Sequence, residues 1–174
     1  MGLYDGTLVA RKMHPYVAGM RADTYPKATS TVYCDTPVGF GLALVQGDAF
    51  NKVELPSPTN TKFIGIAEHQ HLDPHEHLAV GDTVIDGYPR KYAINMATAG
   101  HWVVPLDDDV TQILPTDKVF VRHTAGTGEK KVGQFRKDAS GGAVEWAGVK
   151  WVDVSGIYMR LAVIEINFPH MLAA

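Results

Sequence analysis

The chain reads as all-β: a jelly-roll-like sandwich or barrel carrying an extended N-terminal arm. Three observations predict it. Short apolar runs recur between turn signals at roughly 8–12-residue spacing. No segment carries a sustained apolar stripe of helical period. Glycine (17 residues), proline (10) and β-branched residues are spread along the whole length, which argues against long helices throughout.

Residues 1–29 have no clean period. They hold Gly2, Gly6, Gly19, Pro15 and Pro26, a density that argues against a helix, and also Met13, Tyr16, Met20 and Tyr25, which argue against plain disorder. This stretch is expected to be an extended arm lying on a surface, its own or a neighbour's. The β-domain is assigned to 30–174. Thr31-Val32-Tyr33-Cys34 is short and β-favouring. In the next run Phe40, Leu42 and Leu44 make one large apolar face, with Gly41 and Ala43 opposite. A connection marked by Pro56-Ser57-Pro58-Thr59-Asn60 leads to a strand over 62–67.

Gly81-Asp82 and Thr116-Asp117 each sit in a turn ahead of a strand-like run. Between them, strands are expected over 91–96 and 101–105, separated by a turn at Ala99-Gly100, with Asp107-Asp108-Asp109 as a solvated turn. Ser140-Gly141-Gly142 signals a hairpin between 131–138 and 143–146. The run 157–168 carries large residues on both alternating faces, the pattern of a central strand buried on both sides.

Totals exclude several classes. With 174 residues, 45% apolar and 20% charged, one folded domain with an appendage is expected, large enough to bury a core without staples. A net charge of −3 gives no basic field to hold nucleic acid or an anionic membrane. The single cysteine, Cys34, forms no internal disulfide, so packing must supply stability and a reducing site of synthesis is expected. Met13-His14-Pro15-Tyr16 stands where a signal peptide would need its apolar stretch, so no signal peptide is expected. No apolar run approaches the roughly 20 residues that span a bilayer.

The sharpest chemical signal is Glu68-His69-Gln70-His71-Leu72-Asp73-Pro74-His75-Glu76-His77. On a strand His69 and His71 share a face, and His75 and His77 repeat the spacing after an Asp-Pro turn. Such a donor set suits zinc or another first-row metal. His-x-His followed by Glu76 also resembles the first cupin metal motif, although the surrounding glycines are misplaced and no second motif follows. The competing readings are a polar loop at a strand end and a pH-sensitive patch. Gly126-Thr127-Gly128-Glu129-Lys130-Lys131 lacks the Lys-Ser/Thr of a phosphate loop and reads as a hairpin tip. Lys130, Lys131, Arg136 and Lys137 form a small basic patch on that solvated hairpin. Cys34 and the tryptophans 102, 146 and 151 read as packing.

The segments Pro37-Val38-Gly39-Phe40-Gly41-Leu42-Ala43-Leu44-Val45-Gln46-Gly47, Val53-Glu54-Leu55-Pro56 and Lys62-Phe63-Ile64-Gly65-Ile66-Ala67 resemble the structural cement proteins of tailed phages. Ala18-Gly19-Met20-Arg21-Ala22-Asp23, Val80-Gly81-Asp82-Thr83-Val84, Gly100-His101-Trp102-Val103-Val104 and Asp117-Lys118-Val119-Phe120-Val121 keep the same rhythm, as does the stretch 133–146. The resemblance implies a jelly-roll-like β domain, paired as a homodimer or other homo-oligomer, made in the host cytoplasm. It would bind the major capsid protein on the outer capsid surface of the virion. It implies no catalytic residues, no cofactor and no metal, and gives the histidines no role. Met13, Tyr16, Met20 and Tyr25 are the expected interface anchors. The alternative is a small metal-dependent cupin-like enzyme using His69, His71 and Glu76.

Overall fold

A computed structural model describes residues 17–23, 27–69, 87–107, 112–128, 130–154 and 160–167. Among them are twelve strands and no helix, so the fold is all-β. The strands are β1 (Ala28–Cys34), β2 (Val38–Gly39), β3 (Ala43–Gln46), β4 (Lys52–Glu54), β5 (Phe63–Ala67) and β6 (Gly87–Tyr88). Then come β7 (Tyr92–Pro105), β8 (Phe120–Arg122), β9 (Phe135–Arg136), β10 (Ala143–Glu145), β11 (Val149–Asp153) and β12 (Leu161–Ile166).

Five of them close a ring. β1 pairs with β4 in parallel, β4 with β3, β3 with β5, β5 with β7, and β7 returns to β1, the last four antiparallel. Closure gives these strands partners on both sides and removes their exposed edges. The second half of β7 runs on to pair with β12, from Gly100 opposite Ile166 to Pro105 opposite Leu161, and β11 flanks β12. A three-stranded sheet, ordered β10-β8-β9, and the β2–β6 pair complete the architecture.

Two cores follow from this division. The ring encloses Val38, Phe40, Leu44, Val53, Tyr88, Ile94 and Met96. Between the β7–β12–β11 part and the small sheet lie Trp102, Val104, Leu106, Val121, Phe135, Trp146, Trp151 and Ile164. β3 serves both, with Ala43 in the second core and Leu44 in the first. The tryptophans and Cys34 are buried, as packing residues should be. β12 lies between β7 and β11 with Ala162, Val163 and Ile164 all buried, as its two-faced apolar pattern demands.

Four expectations need correction. Ala99-Gly100 is not a turn: β7 passes through it unbroken. Ala99 faces Ala28 on β1 and Gly100 faces Ile166 on β12. Gly100 holds a φ of 114°, which a side chain tolerates poorly, so the strand bends here while changing partners. Ser140-Gly141-Gly142 does not close a hairpin, because β8 lies between β9 and β10 and pairs with both.

Asp107 is not solvated, and Arg136 is not part of a surface patch. Asp107 is fully buried, two residues beyond the end of β7. Its Oδ2 accepts from Arg122 Nε at 2.6 Å and from Arg136 Nη1 at 3.0 Å. Arg122 also donates to the Gly141 carbonyl, so the glycine turn wraps a guanidinium instead of joining two strands. Arg136 reaches on to Asp138 Oδ1, at 2.8 Å from Nη2, and to the Ser140 hydroxyl. The Ser140 hydrogen bonds, and then the Arg136 charge, hold the Asp138 carboxyl below its usual range.

Breaking one member of a buried ion cluster strands the others without solvent. Asp107→Ala should therefore lower stability by about 3–5 kcal/mol. Urea unfolding checks this, and a loss below about 1 kcal/mol would mean that both arginines find other partners.

Candidate functional site

Two surfaces compete for the functional role, the histidine-rich end of β5 and the strip at residues 19–22. At the first, Glu68 and His69 are the members of the proposed cluster within the described residues; His71, Asp73, His75, Glu76 and His77 lie outside them. The His69 ring is half-buried and packs against Phe40 at 4.6 Å between centroids. Phe40 in turn meets Tyr88 edge-on at 5.2 Å. The Tyr88 hydroxyl donates to the Glu68 carbonyl at 2.8 Å and accepts from the Asn95 amide at 3.2 Å. Among the described residues no group of three His, Cys, Asp or Glu could hold a metal ion. His101 pairs instead with Asp23, Nδ1 to Oδ2 at 2.6 Å, and His123 with the Thr124 hydroxyl at 3.0 Å.

At the second surface, residues 19–22 run beside the far half of β7. The Gly19 amide donates to Val103 O at 2.7 Å, the Val103 amide to Met20 O at 2.8 Å, and the Ala22 amide to His101 O at 3.0 Å. The Gly19 carbonyl accepts from the His69 amide at 2.8 Å, so this strip also joins the end of β5. Gly19 and Gly41 make that approach possible. Both have positive φ, and a Cβ at Gly19 would come within 2.8 Å of backbone atoms of Ala67, Gly41 and His69. Asp23 with His101, and Lys27 with Glu68 at 3.0 Å, fasten the flanks of the strip.

Met20 lies on this strip and is 41% exposed. Met13, Tyr16 and Tyr25, the other expected anchors, fall outside the described residues. β1 begins at Ala28, inside the stretch assigned to the arm. Among the described residues, three further large apolar side chains stand exposed: Phe50, Leu114 and Val152. Sequence reasoning passed over Phe50, whose only signal is an aromatic set in the polar turn Gly47-Asp48-Ala49-Phe50-Asn51.

A family model described as "Structural cement protein (E217 gp24/Pam3 gp6)" matches residues 4–167. The chain belongs to that structural cement protein family. Its fold is similar to a chain in the capsid of Myoviridae Phage XM1, with a TM-score of 0.67 at 14% identity, covering 87% of this chain and 89% of that one. Curated proteins give no match. Membership assigns a capsid cement role and lends nothing to the metal-dependent enzyme.

Two measurements probe these contacts. Gly19→Val puts a branched side chain against three backbone groups, so the strip should lift from β7. The Val103 amide should then exchange with solvent faster, while amides in the ring keep their protection. The second concerns Tyr88, whose hydroxyl burial pushes up to about 12. The folded chain thus keeps a proton that the unfolded chain releases above about pH 10. That stabilisation is complete below about pH 10 and is lost as pH rises towards about 12. Tyr88→Phe should start about 1 kcal/mol less stable, having lost its hydrogen bonds, and should lack this alkaline decline in urea midpoints.

Proposed function

We propose that this cement protein binds the outside of a phage head as a homo-oligomer and bridges neighbouring major capsid protein subunits, without catalysis. The family match over 164 residues, from 4 to 167, carries this reading. The physical requirements of such a part agree with the fold. A clamp must not deform when its neighbours are pulled apart, and a closed ring joined to a second core through one continuous strand resists bending better than an open sheet. The arm extends the reach of that body. Met13, Tyr16, Met20 and Tyr25 supply apolar area for a neighbour, at about 25 cal/mol for each Å² buried. The modest gain at each junction is multiplied by repetition over the lattice, since linked contacts must fail together.

The test uses heads assembled without this chain. Adding purified protein should raise the temperature at which those heads release DNA. Deleting residues 1–16 leaves the strip on β7 intact, so the variant should melt like the full chain yet bind heads far more weakly. Full binding by the truncated chain would remove the arm from the interface, and heads equally robust with and without the protein would remove the cement role itself.

A further inference from the structure

The turn between β3 and β4 has a feature that folding does not explain. Phe50 is 100% exposed, more than any other large apolar residue described. Single exposed apolar residues are ordinary on protein surfaces. Two other facts separate this one from them.

The first is rigidity. The turn is bonded on both sides of Phe50. Gly47 N donates to Lys52 O at 2.9 Å and Lys52 N to Ala49 O at 3.1 Å. The Gln46 side-chain amide donates to the carbonyls of Ala49 and Lys52, the latter at 3.0 Å. The Asn51 carbonyl accepts from the Tyr33 amide of β1 at 2.8 Å, and Asn60 Nδ2 holds the Gln46 carbonyl at 2.8 Å. The backbone around Phe50 is thus bonded within the hairpin and to two neighbouring segments, β1 and the connection at Asn60, while the ring stands in water. Turns favour Gly, Asn, Asp, Ser and Pro, so an aromatic contributes nothing to making this one.

The second is charge. Lys52 Nζ lies between Asp48 Oδ1, at 3.0 Å, and Asp35 Oδ2. Two carboxylates against one ammonium leave one net negative charge in the group that flanks the turn. Both acids remain well exposed, at 73% and 45%.

From this placement we infer that Phe50 is a preformed anchor that inserts into an apolar pocket of a capsid protein subunit, a pocket rimmed by Lys or Arg. The inference rests on the cement role proposed above. A rigid turn meets little ordering cost on docking, which is the condition under which one aromatic ring contributes most. The acidic collar favours a basic rim and disfavours a tip-to-tip contact between two copies, which would bring Asp48 against Asp48.

Binding isotherms on cement-free heads test it, with full-length wild type, Phe50→Ala, Phe50→Leu and Asp48→Asn. Phe50→Ala should melt like wild type, because the ring touches nothing, and should bind about tenfold more weakly or worse. Phe50→Leu should recover part of that loss. Added salt should weaken wild-type binding, and Asp48→Asn should show a shallower salt dependence. Equal binding by Phe50→Ala and wild type overturns the anchor while leaving the cement role standing. A Phe50→Ala variant that loses its own oligomer in light scattering also overturns it, because the ring then meets a second copy. Failure of wild type to bind heads at all takes down the cement role and the anchor together.

Discussion

The fold depends on the need of one long strand to have its backbone satisfied along its whole length. β7 runs for fourteen residues, most of them buried, and a buried amide or carbonyl without a partner is costly. No single neighbour is long enough. The first half takes β1 and β5, and the second takes β12 and the strip at 19–22. The exchange occurs at Ala99 and Gly100, where small side chains and a positive φ let the strand bend. The closed ring and the outer sheet are consequently one continuous object. The strip at 19–22 is a partner that β7 requires, so a pull on it would pass through several backbone hydrogen bonds into the strand that both cores share.

The small sheet has a different problem. Its strands contribute three, two and three residues, too few for ladder hydrogen bonds alone to fix their arrangement. Asp107 supplies direction. A guanidinium donates in a fixed plane, so two of them converging on one carboxylate oxygen admit few relative placements of β8 and β9. The cluster also draws in the 138–141 turn through Asp138, Ser140 and the Gly141 carbonyl. An apolar cluster of equal volume can be as stable but makes no such demand on geometry. Phe135 and Trp146 then stack on the core side, 6.2 Å apart, where the ion cluster has set their strands.

These two constraints explain what the sequence disclosed and what it hid. Alternation and turn residues are local, and they disclosed the all-β class, the burial of β12 on both faces and the packing role of Trp102, Trp146 and Trp151. Strand partnership is not local. Ala99-Gly100 has the composition of a turn, and only the distant Ala28 and Ile166 make it a bend within a strand. Ser140-Gly141-Gly142 has the composition of a hairpin, and only Arg122, about twenty positions earlier, turns it into a wrapping. Asp107 leads a run of three aspartates, the usual mark of solvent, yet it is buried because two arginines far along the chain meet there. At the surface, Met20 was legible as an exposed apolar residue on an irregular segment. Phe50 was not, since its significance lies in complete exposure on a fixed turn, and a sequence states neither.

Closure of the ring also constrains how such a protein can hold a shell. An open sheet would offer backbone edges, and edges bind any strand, other copies of the same chain included. In the ring, those groups are committed to neighbouring strands. The ring can therefore meet a partner through side chains that project from a satisfied backbone, while β11 and β10 still end their sheets. On the proposed reading, affinity would reside in a few exposed apolar groups such as Met20 and Phe50. The same reading predicts the form of the interface energy, with a few central residues dominating and the surrounding polar contacts adding little beyond exclusion of water.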